Sequence, residues 1–414
     1  MIQYIMLIIA FISLYTTILW LSFLYLGNFD RKKSRIGEYP LVTIAIPAHN
    51  EEKGIRQTIQ SVLDMKYPED KLELIVINDA STDNTKEIAE EIISQNRSRD
   101  IKLLNTKECY GKKSPGMNRA LRIAKGEFFG CVDADSIVDK NALHPMLPHF
   151  SERKVGAVIS AIQVNDPKNI YEKIQHFEYI MGILTRKLMA SIGTLVMTPG
   201  VLSIYRTDVL KIVGGFDENN ITEDFEIALR LKDAGYCVEL ETDSHTFTNV
   251  PNNFRSLWNQ RIRWFRGFIE NHRKYKHMIL NREFKTYGMF QIPFNILSVP
   301  ILILSAGLIF YGFMKYSYEF ILRSVVITNY FKNSILHIPS LKEILLLQNL
   351  KIGIPILFAS VLGIIMIVYA YRQVNQKLKN PAHIWVYFVI FPYLTSLHWL
   401  SAIGQEILKI RKKW

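Results

Sequence analysis

The sequence is poor in cysteine, and this scarcity excludes two kinds of site. Only Cys109, Cys131 and Cys237 occur among 414 residues. Three cysteines cannot form a disulfide framework, and their spacing fits no zinc motif. Internal repeats and low-complexity tracts are missing as well, so the chain is not a repeat array. We expect reduced thiols in a domain on the cytoplasmic side.

Charge is missing from the first 26 residues, which are almost entirely apolar. About twenty such residues suffice to cross the hydrocarbon core as a helix. A cleaved signal peptide would need an early positive charge and a small-residue cleavage site. Here the positive charges follow the apolar run, at Arg31, Lys32, Lys33 and Arg35. The positive-inside rule therefore predicts that residues 1–28 are an anchor and that the domain after them is cytoplasmic.

Acidic residues are fewer than basic ones, 38 against 50, which gives a formal charge of +12. This balance suits anionic membrane surfaces or phosphate-bearing substrates, and nucleic acid is the rival interpretation. The basic residues concentrate beside the predicted membrane segments, which argues against a nucleic-acid partner. A hydrophobic content of 49% with a mean hydropathy of +0.08 predicts a water-soluble part with membrane segments attached.

Residues 286–414 are predicted to form a second membrane region with three or four spans. Apolar runs of spanning length occupy residues 292–314, 352–371 and 384–404. The stretch 318–350 contains basic residues and fits a short span, an interfacial helix or an outer loop. Four spans in all would leave the basic C-terminus outside, whereas a fifth would bring it inside. The charge rule favours the inside placement.

Residues 40–250 alternate between strand and helix signals. Short apolar, β-branched runs indicate strands at 41–46, 72–77, 127–132 and 157–161. The intervening segments, for example 52–65 and 82–95, have helical character. Such alternation predicts an α/β fold with a doubly wound, Rossmann-like sheet. Ligands of these sheets bind beyond the carboxyl ends of the strands.

Carboxylates follow three successive predicted strands, at Glu51, at Asp79 and Asp83, and at Asp133 and Asp135. Turn formation and helix capping explain one such placement comfortably and three poorly. Asp133 and Asp135 flank a single residue, so both can reach one hard cation. Mg²⁺ or Mn²⁺ prefers a few carboxylates together with phosphate oxygens. The sequence therefore predicts a site for a metal and a phosphate-bearing ligand at this edge.

Two helix starts carry further candidates. Lys112 precedes a predicted helix, where a lysine can meet a phosphate beside the positive end of the dipole. A solvated basic turn is the alternative. Asp224 lies in the first turn of another helix, after Thr222 and Glu223. Capping and the dipole explain these residues, but Asp224 could instead be a general base toward an acceptor hydroxyl. The spacing leaves both interpretations open.

Residues 251–285 are predicted to be amphipathic and interfacial. An apolar stripe along a helix at about 254–275 suits the membrane surface. Gln260, Arg263 and Trp264 gather on a different face of that helix. An arginine there can hold a diphosphate leaving group, and an indole can form the floor for a sugar ring.

These motifs resemble those of the family 2 inverting glycosyltransferases of GT-A fold. The similarity is to membrane synthases of cellulose, chitin, hyaluronan and poly-N-acetylglucosamine, and it runs from Pro47 to Gly267 in the family's order. It implies a nucleotide-sugar domain inserted between transmembrane helices. His49 stands where a tyrosine is common, and Asn78 and Ala80 also depart from the usual pattern.

The resemblance implies a role for each candidate residue. Glu51 belongs to the nucleotide-sugar site. The other implied roles are base and ribose binding for His49 and Asp79, proximity to the nucleoside and its phosphates for Asp83 and Lys112, nucleotide contact for Asp133, metal binding for Asp135, the catalytic base for Asp224, and a grip on the diphosphate and acceptor for Gln260, Arg263 and Trp264.

The implied protein is a multi-pass enzyme of the cell membrane with a cytoplasmic catalytic domain. It would use Mg²⁺ or Mn²⁺ and a UDP-sugar, UDP-N-acetylglucosamine or UDP-glucose, to extend a β-linked polysaccharide. Transfer of one sugar to a lipid is the alternative, and an oligomer or an accessory export subunit is a further expectation. A transporter is disfavoured, because the predicted spans carry too few charges for an ion path.

Overall fold

A computed structural model describes residues 2–26, 38–336, 350–376 and 382–411. Its centre is one mixed sheet in the strand order β3-β2-β1-β4-β7-β6-β8-β5. The strands are β1 (Val42–Ala48), β2 (Leu72–Asn78), β3 (Ile101–Asn105), β4 (Phe128–Val132), β5 (Ser136–Val138), β6 (Val155–Val164), β7 (Val201–Arg206) and β8 (Cys237–Thr248).

The first half of the sheet is parallel. β1 pairs with β2 and β4, and β2 pairs with β3, all in the parallel sense. All seven residues of β2 are buried, as expected for a parallel strand covered on both faces. The helices that cover the sheet are α2 (Ile55–Leu63), α3 (Thr85–Gln95), α4 (Lys113–Ile123), α5 (Ile170–Ser191), α6 (Thr207–Ile212) and α7 (Glu223–Asp233).

The predicted Rossmann-like α/β fold is confirmed, and the four predicted strands correspond to β1, β2, β4 and β6. The second half of the sheet goes beyond the prediction. β7 pairs in the antiparallel sense with both β4 and β6. Because β1, β2 and β4 are parallel, the loops after them lie at one edge of the sheet. The antiparallel β7 begins at that edge, where the Asp133 N–H donates to the Gly200 carbonyl oxygen at 2.9 Å.

Long helices flank this domain: α1 (Ile2–Leu26), α8 (Phe254–Lys274), α9 (Ile292–Val326), α11 (Leu350–Gln373) and α12 (Ala382–Ile407), with a short α10 (Tyr330–Leu336). Within the described residues, four helical segments are long and apolar enough to cross a membrane. They are Gln3–Tyr25, Tyr287–Val326, Leu350–Gln373 and Ala382–Ile407.

The ambiguous stretch 318–350 is partly accounted for. Its first residues extend α9 as far as Val326, and α10 follows, so the run predicted at 292–314 is the first part of a longer helix. The rest of the stretch, residues 337–349, lies outside the described residues.

Candidate active site

The loops after β1 and β2 are hydrogen bonded to each other. His49 Nδ1 lies 2.7 Å from the carbonyl oxygen of Asp79. The Glu52 N–H donates to Asp83 Oδ2 at 3.1 Å, and the Thr85 N–H donates to Asp83 Oδ1 at 3.0 Å. Burial opposes the ionised form of Asp83, but a hydrogen bond from the Thr85 hydroxyl, together with these two, outweighs it and lowers the pKa of Asp83. Asp83 thus braces both loops at the start of α3.

Asp79 is only 8% exposed as a residue, and its carboxylate forms a polar wall beside His49. It accepts a hydrogen bond from Thr106 Oγ1 at 3.0 Å and from the Tyr110 N–H at 3.1 Å. Cys109 Sγ lies 3.5 Å from Asp79 Oδ2. The segment 106–110 was missed by sequence reasoning, because nothing local indicates that it folds back onto the end of β2.

Three carboxylates meet where β1 and β4 end. Burial raises the pKa of Asp135 to about 6, and the charge of Asp133 adds to that effect. Burial also raises the pKa of Glu51 to about 7, with Asp135 and Asp133 contributing. Glu51 and Asp135 line a small polar cavity of about 120 Å³. Mutual repulsion among these carboxylates favours a cation, and oxygen ligands of this kind suit Mg²⁺ or Mn²⁺.

Lys113 lies at the centre of the site. Its Nζ lies 3.0 Å from Asp133 Oδ1 and 3.2 Å from Glu223 Oε1. Burial alone would lower the pKa of Lys113, but the charges of Asp133 and then Glu223 raise it well above its usual value. Lys112 instead donates to the carbonyl oxygen of Glu218 at 2.9 Å. The sequence pattern favours Lys112, and only the phase of α4 distinguishes the two lysines.

The two lysines provide a direct comparison. We expect Lys113→Met to weaken binding of a nucleoside diphosphate at least roughly tenfold, because a charge-assisted contact contributes about 1.5–3 kcal/mol. Lys112→Met is expected to change that affinity less than about threefold. Isothermal titration of both purified variants with UDP measures the difference. The reverse order would make Lys112 the phosphate ligand, as the resemblance implies.

Asp224 lies in the first turn of α7, beside this cluster. Its charge contributes to the raised pKa of Lys113, and Thr198 Oγ1 donates to its backbone carbonyl at 2.7 Å. Thr222 does not cap the helix with its side chain. Its hydroxyl accepts instead from Asn271 Nδ2 of α8 at 3.0 Å. Capping by Thr222 therefore does not account for this segment.

α8 packs closely on the start of α7. A Cβ added at Gly267 would lie 2.2 Å from Thr222 Oγ1, and the rings of Phe225 and Phe268 stack at 6.2 Å. This contact connects the helix that carries Gln260, Arg263 and Trp264 to the segment that carries Asp224. The glycine is required because no side chain fits between the helices.

Close packing at Gly267 predicts a strong effect of a single methyl group. We expect Gly267→Ala to shift α8 away from Thr222 and to reduce sugar transfer roughly tenfold to 10²-fold, since misplacement by about 1 Å can cost that much. Gly307→Ala is the control, because a Cβ there meets nothing within 4 Å. Transfer rates and melting temperatures of both variants test this. Equal rates for the two would show that the contact does not position the site.

The predicted acceptor residues share α8 with a residue that the sequence did not single out. The Arg261 guanidinium lies 4.3 Å from the ring centroid of Trp264 and donates to Glu178 Oε2 at 2.7 Å. Gln260 Oε1 is buried without a hydrogen-bond partner in the described part of the chain. Arg263 is half-buried. Trp264 is therefore held from one side by a buried arginine.

The sheet edge thus brings together most of the predicted residues. Glu51, Asp133 and Asp135 form one carboxylate group, and His49 and Asp79 form the adjoining wall. Asp224 approaches the group through Lys113, whereas Lys112 points toward Glu218. These neighbours suit binding of a cation and a phosphate-bearing ligand next to a carboxylate base.

The chain is similar in sequence to known glycosyltransferases. Residues 43–214 match the profile of glycosyl transferase family 2, and residues 129–400 match that of glycosyl transferase family group 2. The poly-beta-1,6-N-acetyl-D-glucosamine synthase of Staphylococcus epidermidis is 29% identical over 300 residues, 67% of this chain and 69% of that protein. The synthase of the same name from Staphylococcus aureus strain COL is 31% identical over 279 residues, 66% of each protein.

A solved structure has a similar fold over the whole chain. The mannosyltransferase PcManGT from Pyrobaculum calidifontis, in complex with GDP-Man and Mn²⁺, aligns with a TM-score of 0.57 and 16% identity. The alignment covers 99% of this chain and 100% of that one. This similarity shows a GT-A-like fold. Because the second family profile extends over more than half of the sequence, the chain belongs to glycosyltransferase family 2.

Proposed function

We propose that this enzyme is a membrane-bound, inverting glycosyltransferase that adds sugars from a UDP-sugar to a growing β-linked polysaccharide. The observation that carries the proposal is the cluster of Lys113, Asp133 and Glu223 beside Asp135 and Asp224 at the sheet edge. The relatedness to poly-N-acetylglucosamine synthases supports a polymer product and UDP-N-acetylglucosamine as the donor, with UDP-glucose as the second choice.

The donor would lie along the loops after β1, β2 and β4. His49 and Asp79 would bind the base and ribose, and Asp83 would keep their loops in place. Tyr110 is 45% exposed next to Asp79 and offers a larger aromatic face than the imidazole of His49. Lys113 would turn toward the diphosphate, and its positive charge would stabilise the negative charge of the phosphates. Lys112 lies close enough to the helix start to stay a candidate for the same phosphates.

Asp135, with Asp133 and Glu51 nearby, would hold Mg²⁺ or Mn²⁺. The mannosyltransferase of similar fold was solved with Mn²⁺, which supports this assignment. When bound, such an ion offsets the negative charge that develops on the departing diphosphate. Burial, and then repulsion between the carboxylates, raises the pKa of Asp135 and Glu51, and the charge of the ion would offset both effects.

Asp224 would remove the proton from the acceptor hydroxyl, whose oxygen attacks the anomeric carbon as the bond to the diphosphate breaks. This single displacement inverts the configuration, so an α-linked donor gives a β-linked product. Lys113 and Arg263 would stabilise the leaving diphosphate. Trp264, held by Arg261, would support the acceptor sugar, and Gln260 would orient it with its unpaired oxygen.

Transfer of one sugar to a lipid is the second candidate. The short membrane part is sufficient for it, since only four apolar helices occur in the described residues. A polymer path would need more walls than these helices provide. An oligomer or an accessory export subunit would then complete it.

Incubation of membranes that contain the enzyme with a panel of radiolabelled nucleotide sugars tests the proposal. We expect incorporation from UDP-N-acetylglucosamine into chains that are long at early times, while most acceptor is unused. A product that remains one sugar long would replace the polymer with a glycolipid. Incorporation from no nucleotide sugar would refute the proposed activity.

A further inference from the structure

The long apolar helices meet the catalytic domain in two different ways. Near its C-terminal end α1 packs on the core through Trp20, Phe23 and Leu24, and Phe23 lies 6.4 Å from Phe290, ring to ring. α9 leaves from the same place. Gln291, directly before α9, accepts a hydrogen bond from Thr194 of the catalytic domain at 3.1 Å.

α11 also contacts the catalytic domain at one end. Gln376, just after α11, donates to Gln163 Oε1 in β6 at 2.7 Å and lies 2.8 Å from His176 Nε2 in α5. The far ends of these helices are exposed, for example Tyr4 at 72% and Val326 at 78%. α1 and α11 therefore run toward the catalytic domain and α9 runs away from it, as three crossing segments would.

α12 is held at both ends, by α5 of the catalytic domain near its start and by α8 near its end. Near its start, the ring of Tyr387 lies 4.8 Å from that of Phe177 in α5. Near its end, the buried Arg266 of α8 donates to Glu406 Oε1 at 2.7 Å and to Gln405 Oε1 at 3.1 Å. A helix of 26 residues is about 39 Å long and could cross a bilayer. Its two ends nevertheless lie against the same layer of helices.

The middle of α12 packs on α8. The rings of His398 and Trp258 lie 4.5 Å apart, and Trp399 stacks on Phe265 at 4.2 Å. α8 carries four arginines within residues 255–266. A segment with this charge cannot lie in the hydrocarbon core. A helix packed along α8 therefore lies at the level of the headgroups.

The outer face of α12 is apolar and uncovered. Each of its large apolar side chains is at least half exposed: Trp385, Phe388, Val389, Ile390, Leu397 and Leu400. A continuous apolar face of this size needs a non-aqueous partner. Beyond it, Lys409 and Arg411 supply positive charge that suits anionic lipid headgroups. The bilayer that surrounds the other apolar helices would lie next to this outer face of α12.

We propose that α12 does not cross the membrane but lies in its interface, with this apolar face in the lipid and its opposite face on α5, α8 and the start of the bundle formed with α9. Of the four long apolar helices, only α1, α9 and α11 cross. The basic C-terminus then lies on the same side as the catalytic domain, in agreement with the positive-inside rule. The inference rests on the membrane-bound part of the proposed function and not on the sugar transferred.

Depth-dependent quenching tests the placement in full-length protein reconstituted in proteoliposomes. A bimane is attached at Leu397→Cys in α12 or at Ile364→Cys in α11, both in a background with Cys109→Ser and Cys237→Ser, since Cys131 is buried. Both positions are exposed and central in their helices. Nitroxide lipids labelled near the headgroup should quench the Leu397 probe at least about twofold more than lipids labelled near the chain end. The Ile364 probe should show the reverse.

A membrane-impermeant maleimide tests the side of the C-terminus in the same background. Arg411→Cys should be labelled together with Lys66→Cys, an exposed position of the catalytic domain. Val325→Cys, at the far end of α9, should be labelled from the opposite side. Labelling of Arg411→Cys together with Val325→Cys, or deep quenching at Leu397, would show that α12 crosses and overturn the inference.

Absence of quenching at both Leu397 and Ile364 would refute membrane insertion, and the inference would fall with that part of the proposed function. A failure of sugar transfer is a separate result, because the quenching and labelling assays need no turnover.

Discussion

Asp224→Asn is expected to bind the donor normally and to lose at least roughly 10²-fold in sugar transfer, the usual loss when a general base is removed. Such a loss corresponds to about 2.7 kcal/mol of transition-state free energy. The amide keeps the size of the carboxylate but cannot accept the acceptor proton. Asp224 lies next to Lys113 and at the helix start that packs against α8, so an acceptor bound on α8 would reach it.

Two measurements separate this role from a structural one. UDP affinity should stay within about twofold of the wild type, whereas the turnover number falls. Asp233→Asn is the matched control, since Asp233 lies at the other end of α7 in a surface ion pair with His277. Near-normal turnover of Asp224→Asn would refute the role as general base and leave Asp224 with only a structural role in the first turn of α7.

Asp135→Ala is expected to abolish metal-dependent UDP binding and with it the transfer reaction. Asp135 lies against Glu51 and Asp133 in a largely buried position, and burial and repulsion raise its pKa to about 6. A bound cation replaces that repulsion with attraction, so the Asp135 carboxylate contributes most to UDP binding when the metal is present. In the Asp135→Ala variant, the remaining acids would hold Mn²⁺ or Mg²⁺ poorly.

Titration of UDP with and without Mn²⁺ checks this expectation. The wild type should bind UDP at least roughly tenfold more tightly with the metal, and Asp135→Ala should show no such gain. Asp100→Ala, which removes an exposed partner of Lys125, should behave as the wild type. Full transfer activity in excess chelator would remove the metal from the mechanism.

The sheet was predictable because its strands contain short runs of apolar and β-branched residues, which are visible in the local sequence. A strand buried on both faces, such as β2, is rich in Leu, Ile and Val, with the paired Glu73 as its one charged residue, and the polar residues that follow it face the ligand crevice. The antiparallel β7 was not predicted. Its pairing with β4 joins Phe128 to Arg206, far apart in the chain, and such distant partners leave no local pattern.

The same distinction applies to the site and the membrane region. Spacing alone determined that carboxylates would follow three strands and that Gln260, Arg263 and Trp264 would share a helix. Only the tertiary structure decided that Lys113 rather than Lys112 meets Asp133, since one residue rotates a side chain by about 100° around a helix. It also decided that Arg266 holds the end of α12 against α8. Hydropathy measures whether a helix is apolar enough to cross, whereas the partners at its two ends fix the surface on which it lies.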